Sequence, residues 1–104
     1  MFVVGITACP TGIAHTYMAQ EALENECQKR GYEFHFETQG SIGIENELSQ
    51  EDIDRADMII LAVAIQIEEE ERFDDKDIFN ADVDEAISYP EKVIDKALEH
   101  YHLK

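Results

Sequence analysis

Basic side chains are scarce in this chain of 104 residues. It has eight lysines and arginines but 24 aspartates and glutamates, so the formal net charge is −16. This charge repels nucleic acids and anionic lipid headgroups. It therefore excludes a general nucleic-acid binder and a protein held to a membrane surface by basic residues. Long apolar runs are missing as well. The longest, Met58 to Ile65, is far shorter than the ~20 residues that cross a bilayer, so direct membrane insertion is not expected.

Cysteine is scarce too, and the two thiols of Cys9 and Cys27 do not make the disulfide framework of a small secreted protein. No basic stretch precedes an apolar run at the start of the chain, so a secretory signal is not expected. Both observations predict a cytoplasmic protein. The hydrophobic share of 44% is enough for one core at this length, and residues 1–104 are predicted to form a single domain.

Acidic residues crowd two short runs, Glu68 to Glu71 and Asp74 to Asp77. Neither run contains the Asp-x-Asp-x-Asp-Gly pattern of a calcium loop, and four consecutive glutamates cannot all point inward. We interpret these runs as a solvated rim that keeps the domain soluble. Neither a metal site nor a cofactor is expected.

Hydrophobic patterning predicts strands that alternate with helices. Strands are predicted at Phe2–Thr7, Tyr32–Thr38 and Met58–Val63, with a shorter one near Asp77–Asn80. Helices are predicted at Ile13–Arg30, from a Ser49 cap through Arg55, from Asp84 or Ser88 onward, and at Glu91–Tyr101. Gly40 and Gly43 are predicted to open a loop. This order favours an α/β fold, a three-layer Rossmann-like open sheet of four mainly parallel strands in the order 2-1-3-4, with helices on both faces.

The first predicted helix has apolar residues at helical spacing, and these are expected to form its inner face: Ala14, Met18, Ala22, Leu23 and Cys27. Lys29 and Arg30 in the last turn, followed by Gly31, predict its C-terminal end.

The loop after the first predicted strand is the candidate site. It reads Cys9-Pro10-Thr11-Gly12-Ile13-Ala14-His15-Thr16 and runs directly into a helix N-terminus. Ligands of open α/β sheets bind beyond the carboxyl ends of the strands, and free N–H groups at a helix N-terminus favour an anion. The same setting favours a thiolate, so Cys9 is expected to carry more thiolate than an ordinary cysteine. No residue from Met1 to Gln20 has a formal charge, which indicates that backbone amides, with the Thr11 and Thr16 hydroxyls, hold the anion.

Three alternatives compete with this interpretation. A cysteine phosphatase would place arginine six residues after Cys9, where this chain has His15, so the bidentate guanidinium that clamps a phosphate is missing. A redox site would need a Cys-x-x-Cys partner, and Gly12 stands at that position. The third alternative is an ordinary buried cysteine in a tight turn. A thiophosphate that waits for an acceptor other than water accounts for the residues better.

The same residues carry a resemblance to a known family. Met1–Gln20 contains Val4-Gly5-Ile6-Thr7-Ala8-Cys9-Pro10-Thr11-Gly12-Ile13-Ala14-His15-Thr16-Tyr17-Met18-Ala19. This run closely resembles the start of the fructose-type IIB component of the bacterial phosphoenolpyruvate-dependent sugar phosphotransferase system. Two further matches lie downstream, one at Glu37 to Gly43 and one at Glu71-Arg72-Phe73.

The resemblance implies a phosphoryl relay with three partners. A IIA protein donates phosphate from a phosphohistidine, Cys9 accepts it as the nucleophile, and the membrane IIC permease presents the sugar that receives it. The phosphate-binding loop would comprise Pro10, Thr11, Gly12, Ile13, Ala14, His15 and Thr16. His15 would either hydrogen-bond the phosphate or cap the helix. Partner contacts or loop-shaping roles would fall to Tyr17, Glu37, Thr38, Gln39 and Gly40, with a helix or loop cap as the alternative for Glu37.

An uncharged docking surface follows from the strong net charge. Because a domain at −16 repels acidic proteins, the contact face is expected to be locally less acidic, with Ile13, Ala14 and Tyr17 at its border. A regulatory module of the same fold, whose phosphorylation state is read by another protein, is the alternative to a transport subunit.

Overall fold

The computed structural model describes residues 1–10 and 13–104 and contains one mixed sheet. Its strands are β1 (Phe2–Ala8), β2 (Glu33–Gly40), β3 (Gly43–Glu45), β4 (Met58–Val63) and β5 (Phe79–Ala81). They lie in the spatial order β3-β2-β1-β4-β5. All neighbouring pairs are parallel except β2 with β3. The carboxyl ends of the parallel strands thus lie together at one end of the sheet, which we call the carboxyl edge. There Ala8 pairs with Gln39 on one side and Val63 on the other.

Four α-helices connect and cover these strands. They are α1 (Ile13–Lys29), α2 (Gln50–Arg55), α3 (Val83–Ser88) and α4 (Pro90–His100), and a short 3-10 helix spans Glu70–Phe73. Ser49 caps α2 by accepting a hydrogen bond from the Asp52 amide, as its sequence position predicts. In the described part of the chain, no helix has the length and apolar character needed to cross a membrane.

The predicted α/β class and the order of the four parallel strands are confirmed, and β3 is the element that the sequence did not reveal. The segment after Gly40 was predicted to be a loop, but Gly43 has a φ of +99° and turns the chain back antiparallel to β2. A strand of three residues is too short to show a period of two, and its pairing depends on the turn. The short parallel strand is also displaced, to Phe79–Ala81.

Two apolar layers lie on opposite faces of the sheet. α1, α3 and α4 pack on one face, around Leu23, Phe36 and Ile60. On the other face, Leu48 and Ile53 pack against Ile6 and Leu61. These layers hold the sheet edge rigidly from both sides.

The predicted inner face of α1 is partly wrong. Leu23 and Cys27 are fully buried, but Ala14 and Met18 are exposed. The buried stripe instead runs through Thr16, Ala19, Leu23 and Cys27, which are three or four residues apart, and the Thr7 hydroxyl donates to the Thr16 carbonyl oxygen at 3.0 Å. The inner face therefore keeps helical spacing, but at the start of α1 it includes a threonine that an apolar pattern does not mark.

Candidate active site

A cavity of about 60 Å³ opens beside Cys9 at the carboxyl edge of the sheet. Cys9 follows β1 directly and is half-buried. The cavity lies between the first turns of α1 and the hairpin formed by β2 and β3. Its lining residues are Cys9, Pro10, Thr16, Tyr17, Thr38, Gln39, Gly40, Ser41, Ile42, Gly43 and Glu45. The thiol is thus in contact with a small enclosed space that two separate segments of the chain complete.

Thr16 contributes a buried hydroxyl to this cavity wall. The residue is 4% exposed, and its hydroxyl oxygen has no hydrogen-bond partner among the described residues. Its carbonyl oxygen is occupied by the Thr7 hydroxyl, so the orientation of the residue is set independently of the hydroxyl. A buried polar group without a partner carries a desolvation cost that a bound acceptor would relieve. The wall therefore offers a donor beside the cysteine.

Tyr17 and Glu45 close the cavity on its outer side. The Tyr17 hydroxyl hydrogen-bonds a Glu45 carboxylate oxygen and ties α1 to β3. Donating this hydrogen bond to the carboxylate raises the pKa of Tyr17, so the phenol stays protonated and continues to donate. Ile42, at the hairpin tip, is 61% exposed. The rim of the cavity therefore combines apolar and aromatic surface with one acidic group.

A buried ion pair supports the wall from behind. The carboxylate of Glu37 is fully buried, and Arg72 donates to its two oxygens at 2.7 and 3.0 Å. The same carboxylate accepts hydrogen bonds from the Leu48 amide and the Gln39 side chain, each at 2.7 Å. Burial by itself would raise the pKa of Glu37, but these hydrogen bonds outweigh burial and hold the pKa below its ordinary value. Glu37 is therefore ionised, its two oxygens are occupied by these donors, and it does not line the Cys9 cavity.

Arg72 joins three segments through this pair. Besides Glu37 it donates to the carbonyl oxygens of Leu48, Glu69 and Glu68, at 2.9, 2.9 and 3.4 Å. The end of β2, the approach to α2 and the acidic segment after β4 are thus fastened at one point. Sequence reasoning did not predict this contact, although Glu37 and Arg72 lie in the two downstream matched motifs.

Gln39 connects that network to the cavity. Its side chain accepts from the Glu68 amide at 2.7 Å and donates to the Glu68 carbonyl oxygen at 3.1 Å. Because Gln39 and its neighbours Thr38 and Gly40 line the cavity, the network positions the wall opposite α1.

The structure brings most of the sequence-predicted residues together. Of the proposed loop, Pro10 and Thr16 line the cavity, while Ala14 and His15 are exposed on the first turn of α1. Ile13 begins α1. The predictions for Thr11 and Gly12 lie outside the described residues. Sequence reasoning missed the cavity residues Ser41, Ile42 and Glu45, because they reach the cavity only through the β2–β3 hairpin, which was predicted to be a loop.

Comparisons with known proteins agree on one family. Residues 4–96 match the family model described as PTS system, Lactose/Cellobiose specific IIB subunit. The chain is 47% identical over 98 residues to the PTS system fructose-like EIIB component 2 of Escherichia coli K12, covering 94% of this chain and 92% of that protein. It is 44% identical over 96 residues to the PTS system fructose-specific EIIB'BC component of Rhodobacter capsulatus, covering 92% of this chain and 16% of that protein.

A solved structure gives the same result at the level of the fold. The domain of a fructose-specific IIABC component from Borrelia burgdorferi superposes with a TM-score of 0.87 at 45% identity, covering 94% of this chain and 93% of that one. The family model names lactose and cellobiose, whereas these relatives are fructose-like or fructose-specific.

Proposed function

The chain belongs to the IIB components of the sugar phosphotransferase system and is a phosphoryl-transfer subunit, and we propose that it carries the phosphate on the sulfur of Cys9. The observation that supports this proposal is the position of Cys9 at the exit of β1, beside a cavity that Thr16 helps to line, and the buried hydroxyl of Thr16 has no hydrogen-bond partner among the described residues. A thiolate at that place is accessible to a phosphorylated donor.

The transfer has two displacement steps. In the first, the Cys9 thiolate attacks the phosphorus of a phosphohistidine on a IIA protein. The S–P bond forms, the N–P bond breaks, and its electron pair stays on the imidazole nitrogen. In the second, a sugar hydroxyl oxygen attacks the same phosphorus and its proton passes to solvent, the O–P bond forms, and the S–P bond breaks to regenerate the thiolate.

The phosphate is held by the surroundings of Cys9 and not by a cationic side chain. Helix α1 spans Ile13–Lys29, and its N-terminal amides favour an anion at the end of β1. Within the same wall, the Thr16 hydroxyl donates to a phosphate oxygen, because it has no partner among the described residues. Pro10 also lines this side of the cavity, and His15 is exposed on the first turn of α1.

The partners in the proposal are a fructose-type IIA donor and the membrane IIC component, and the chain works in the cytoplasm at the inner face of the membrane. The name of the Rhodobacter relative joins IIB and IIC parts in one protein, which supports a IIC partner. The IIA donor docks on the cavity rim at Tyr17 and Ile42 and on the exposed Ala14 in the first turn of α1. Fructose is the sugar that the names of the relatives favour.

Intact-protein mass spectrometry tests the cysteine assignment. The protein is incubated with phosphoenolpyruvate, the two general phosphotransfer proteins and a fructose-type IIA, beside a fructose-like IIB from Escherichia coli as a positive control. We expect the mass of one phosphate on the wild type and on Cys27→Ala, and none on Cys9→Ser. Thr16→Val is expected to lower the phosphorylation rate about tenfold or more, since one donor to a developing charge is worth that much.

Phosphate on Cys9→Ser, or no phosphate on the wild type while the positive control is phosphorylated, would contradict the assignment. Circular dichroism of each variant shows whether a missing phosphate reflects a lost fold.

A further inference from the structure

A second depression lies on the opposite side of the sheet edge from the Cys9 cavity. It has a volume of about 400 Å³ and runs along the end of β4 to the 3-10 helix. Its floor is apolar and includes Leu61, Val63, Ile67, Phe73 and Ile78. Ile65 stands at its margin and is 36% exposed. We refer to this depression as the β4 groove.

The margin of the β4 groove is strongly acidic. Seven of the ten residues 68–77 are aspartate or glutamate, and all seven are exposed. Glu70 and Asp74 line the groove directly. The two cations of this segment are already engaged, Arg72 with the buried Glu37 and Lys76 with Asp54 at 2.7 Å. The apolar floor is therefore surrounded by negative charge that is not neutralised within the segment.

Cations are concentrated elsewhere in the fold. Five of the eight lysines and arginines lie at the C-terminal end of α1 or from α4 onward. They are Lys29, Arg30, Lys92, Lys96 and Lys104. Several acids of that region are paired with them, including Asp95 with Arg30 at 3.0 Å and Glu85 with Lys96 at 2.8 Å. The groove side of the molecule thus carries the larger share of the unbalanced negative charge.

The β4 groove and the Cys9 cavity adjoin each other at the sheet edge. Val63 lines the groove and pairs with Ala8, the residue before Cys9, and the Ala64 amide donates to the Ala8 carbonyl oxygen at 2.9 Å. On the other side, Gln39 lines the cavity while its side chain holds the backbone of Glu68. A protein segment seated in the groove therefore lies beside the thiol without covering it.

From this arrangement we propose that the β4 groove is the docking surface for a basic, partly apolar cytoplasmic segment of the membrane sugar carrier. The proposal rests on the proposed function and adds to it the place and chemistry of one contact. Cytoplasmic loops of membrane proteins are enriched in lysine and arginine, so they complement an acidic margin. Anionic lipid headgroups repel a domain of this charge, so recruitment to the membrane has to come from such protein segments. The apolar floor receives the uncharged side chains of the same segment.

Two assays on one set of variants test the proposal. The first is cosedimentation of the unphosphorylated protein with inverted membrane vesicles that contain the fructose-like IIC component, compared with vesicles that lack it. The second is sugar phosphorylation by the same vesicles at increasing concentrations of the phosphorylated protein. The test variants are the Glu70→Gln, Asp74→Asn double variant and Ile65→Ser. The matched control is a Glu91→Gln, Glu99→Gln double variant, which removes two exposed charges from α4 on the other face.

For the charge double variant we expect the apparent KM for this protein to rise about fivefold to tenfold while kcat stays unchanged, because rim charges act mainly on association. Its binding is expected to depend less on salt than that of the wild type. Ile65→Ser is expected to weaken cosedimentation severalfold. The control is expected to match the wild type in both assays, and all variants are expected to accept phosphate from IIA at the wild-type rate.

Other occupants of the groove would give different results. Equal KM values and equal cosedimentation for test and control variants would overturn the proposal, as would slower phosphorylation by IIA, which would assign the groove to the donor. A dimer in sedimentation velocity that Ile65→Ser dissociates would assign it to a second copy. A wild type that cosediments with the vesicles but takes no phosphate on Cys9 would support the groove and contradict the cysteine assignment.

Discussion

Removing the Arg72 side chain is expected to destabilise the fold strongly while leaving Cys9 itself untouched. Arg72→Met keeps the length of the apolar stem but deletes the guanidinium donors to Glu37 and to the carbonyl oxygens of Leu48, Glu68 and Glu69. The Glu37 carboxylate then remains fully buried, with only Gln39 and the Leu48 amide as donors. An uncompensated buried charge of this kind is the most costly defect that a single substitution can leave here.

The expected loss in the free energy of unfolding is about 3–5 kcal/mol, the range for a buried ion pair that loses one partner. For a chain of this length the unfolding entropy converts that loss to a decrease in Tm of about 14–23 °C. The matched control is Lys96→Met, because Lys96 and Glu85 form an ion pair of similar length on the surface. Its expected cost is below about 1 kcal/mol.

Urea unfolding followed by circular dichroism measures both variants. If Arg72→Met lowers the free energy of unfolding no more than Lys96→Met does, the reasoning that the buried pair anchors the three segments is refuted. The Glu37→Gln single variant and the Glu37→Gln, Arg72→Met double variant complete a double-mutant cycle. The double variant is expected to lose less free energy of unfolding than the two single variants lose together.

The pH dependence gives the same prediction an independent check. In the wild type the pKa of Glu37 is held below its ordinary value, so its contribution to stability is present near neutral pH and lost as the pH falls through that lowered pKa. In Arg72→Met, burial without the guanidinium raises the pKa of Glu37 above its unfolded value, and protonation then relieves the defect. The stability gap between the two proteins is therefore expected to narrow between pH 7 and pH 4. A gap that widens over that range would contradict the argument.

Two further predictions concern packing and thiol reactivity. Gly5→Ala would place a methyl carbon 2.5 Å from the Ile60 carbonyl oxygen and 2.6 Å from the Phe36 ring, and is expected to cost about 1–3 kcal/mol or more in thermal unfolding. The control is Gly40→Ala, where the added methyl group meets nothing within 4 Å. Equal losses of stability in the two variants would contradict the clash at Gly5. Burial raises the pKa of Cys27 to about 12, so iodoacetamide at pH 7.5 is expected to leave that thiol unmodified in the native protein and to alkylate it in urea. Modification of Cys27 in the native protein, located by peptide mass mapping, would refute this.

Much of the fold could be predicted because its signals are local. The buried strands β1 and β4 are continuous apolar runs, and β2 alternates. Since the parallel strands are separated by helices, right-handed crossovers leave few possible orders. The hairpin strand β3 was not predictable by the same means, because three residues show no period and their pairing follows from the turn at Gly43.

The candidate site divides in the same way. Cys9 and the start of α1 are contiguous in sequence, so the thiol at a helix N-terminus is visible from the order of residues alone. The far wall is not, because Gly40, Ile42 and Glu45 reach the cavity only through the hairpin. Met18, which the apolar pattern of α1 placed inside, is exposed, because the buried stripe runs through Thr16, Ala19 and Leu23 and so includes a polar residue that the pattern does not mark.

The amino-acid sequence by itself determined the α/β class, the order of the parallel strands and the placement of a cysteine where a strand meets a helix. These depend on residue type and spacing along the chain. Only the tertiary structure decided that Arg72 contacts Glu37, 35 residues away in the sequence. It also decided that the β4 groove, with its apolar floor and acidic margin, adjoins the Cys9 cavity. Both arise where loops from distant strands converge at the carboxyl edge, and long-range contacts of that kind leave no periodic signal in the sequence.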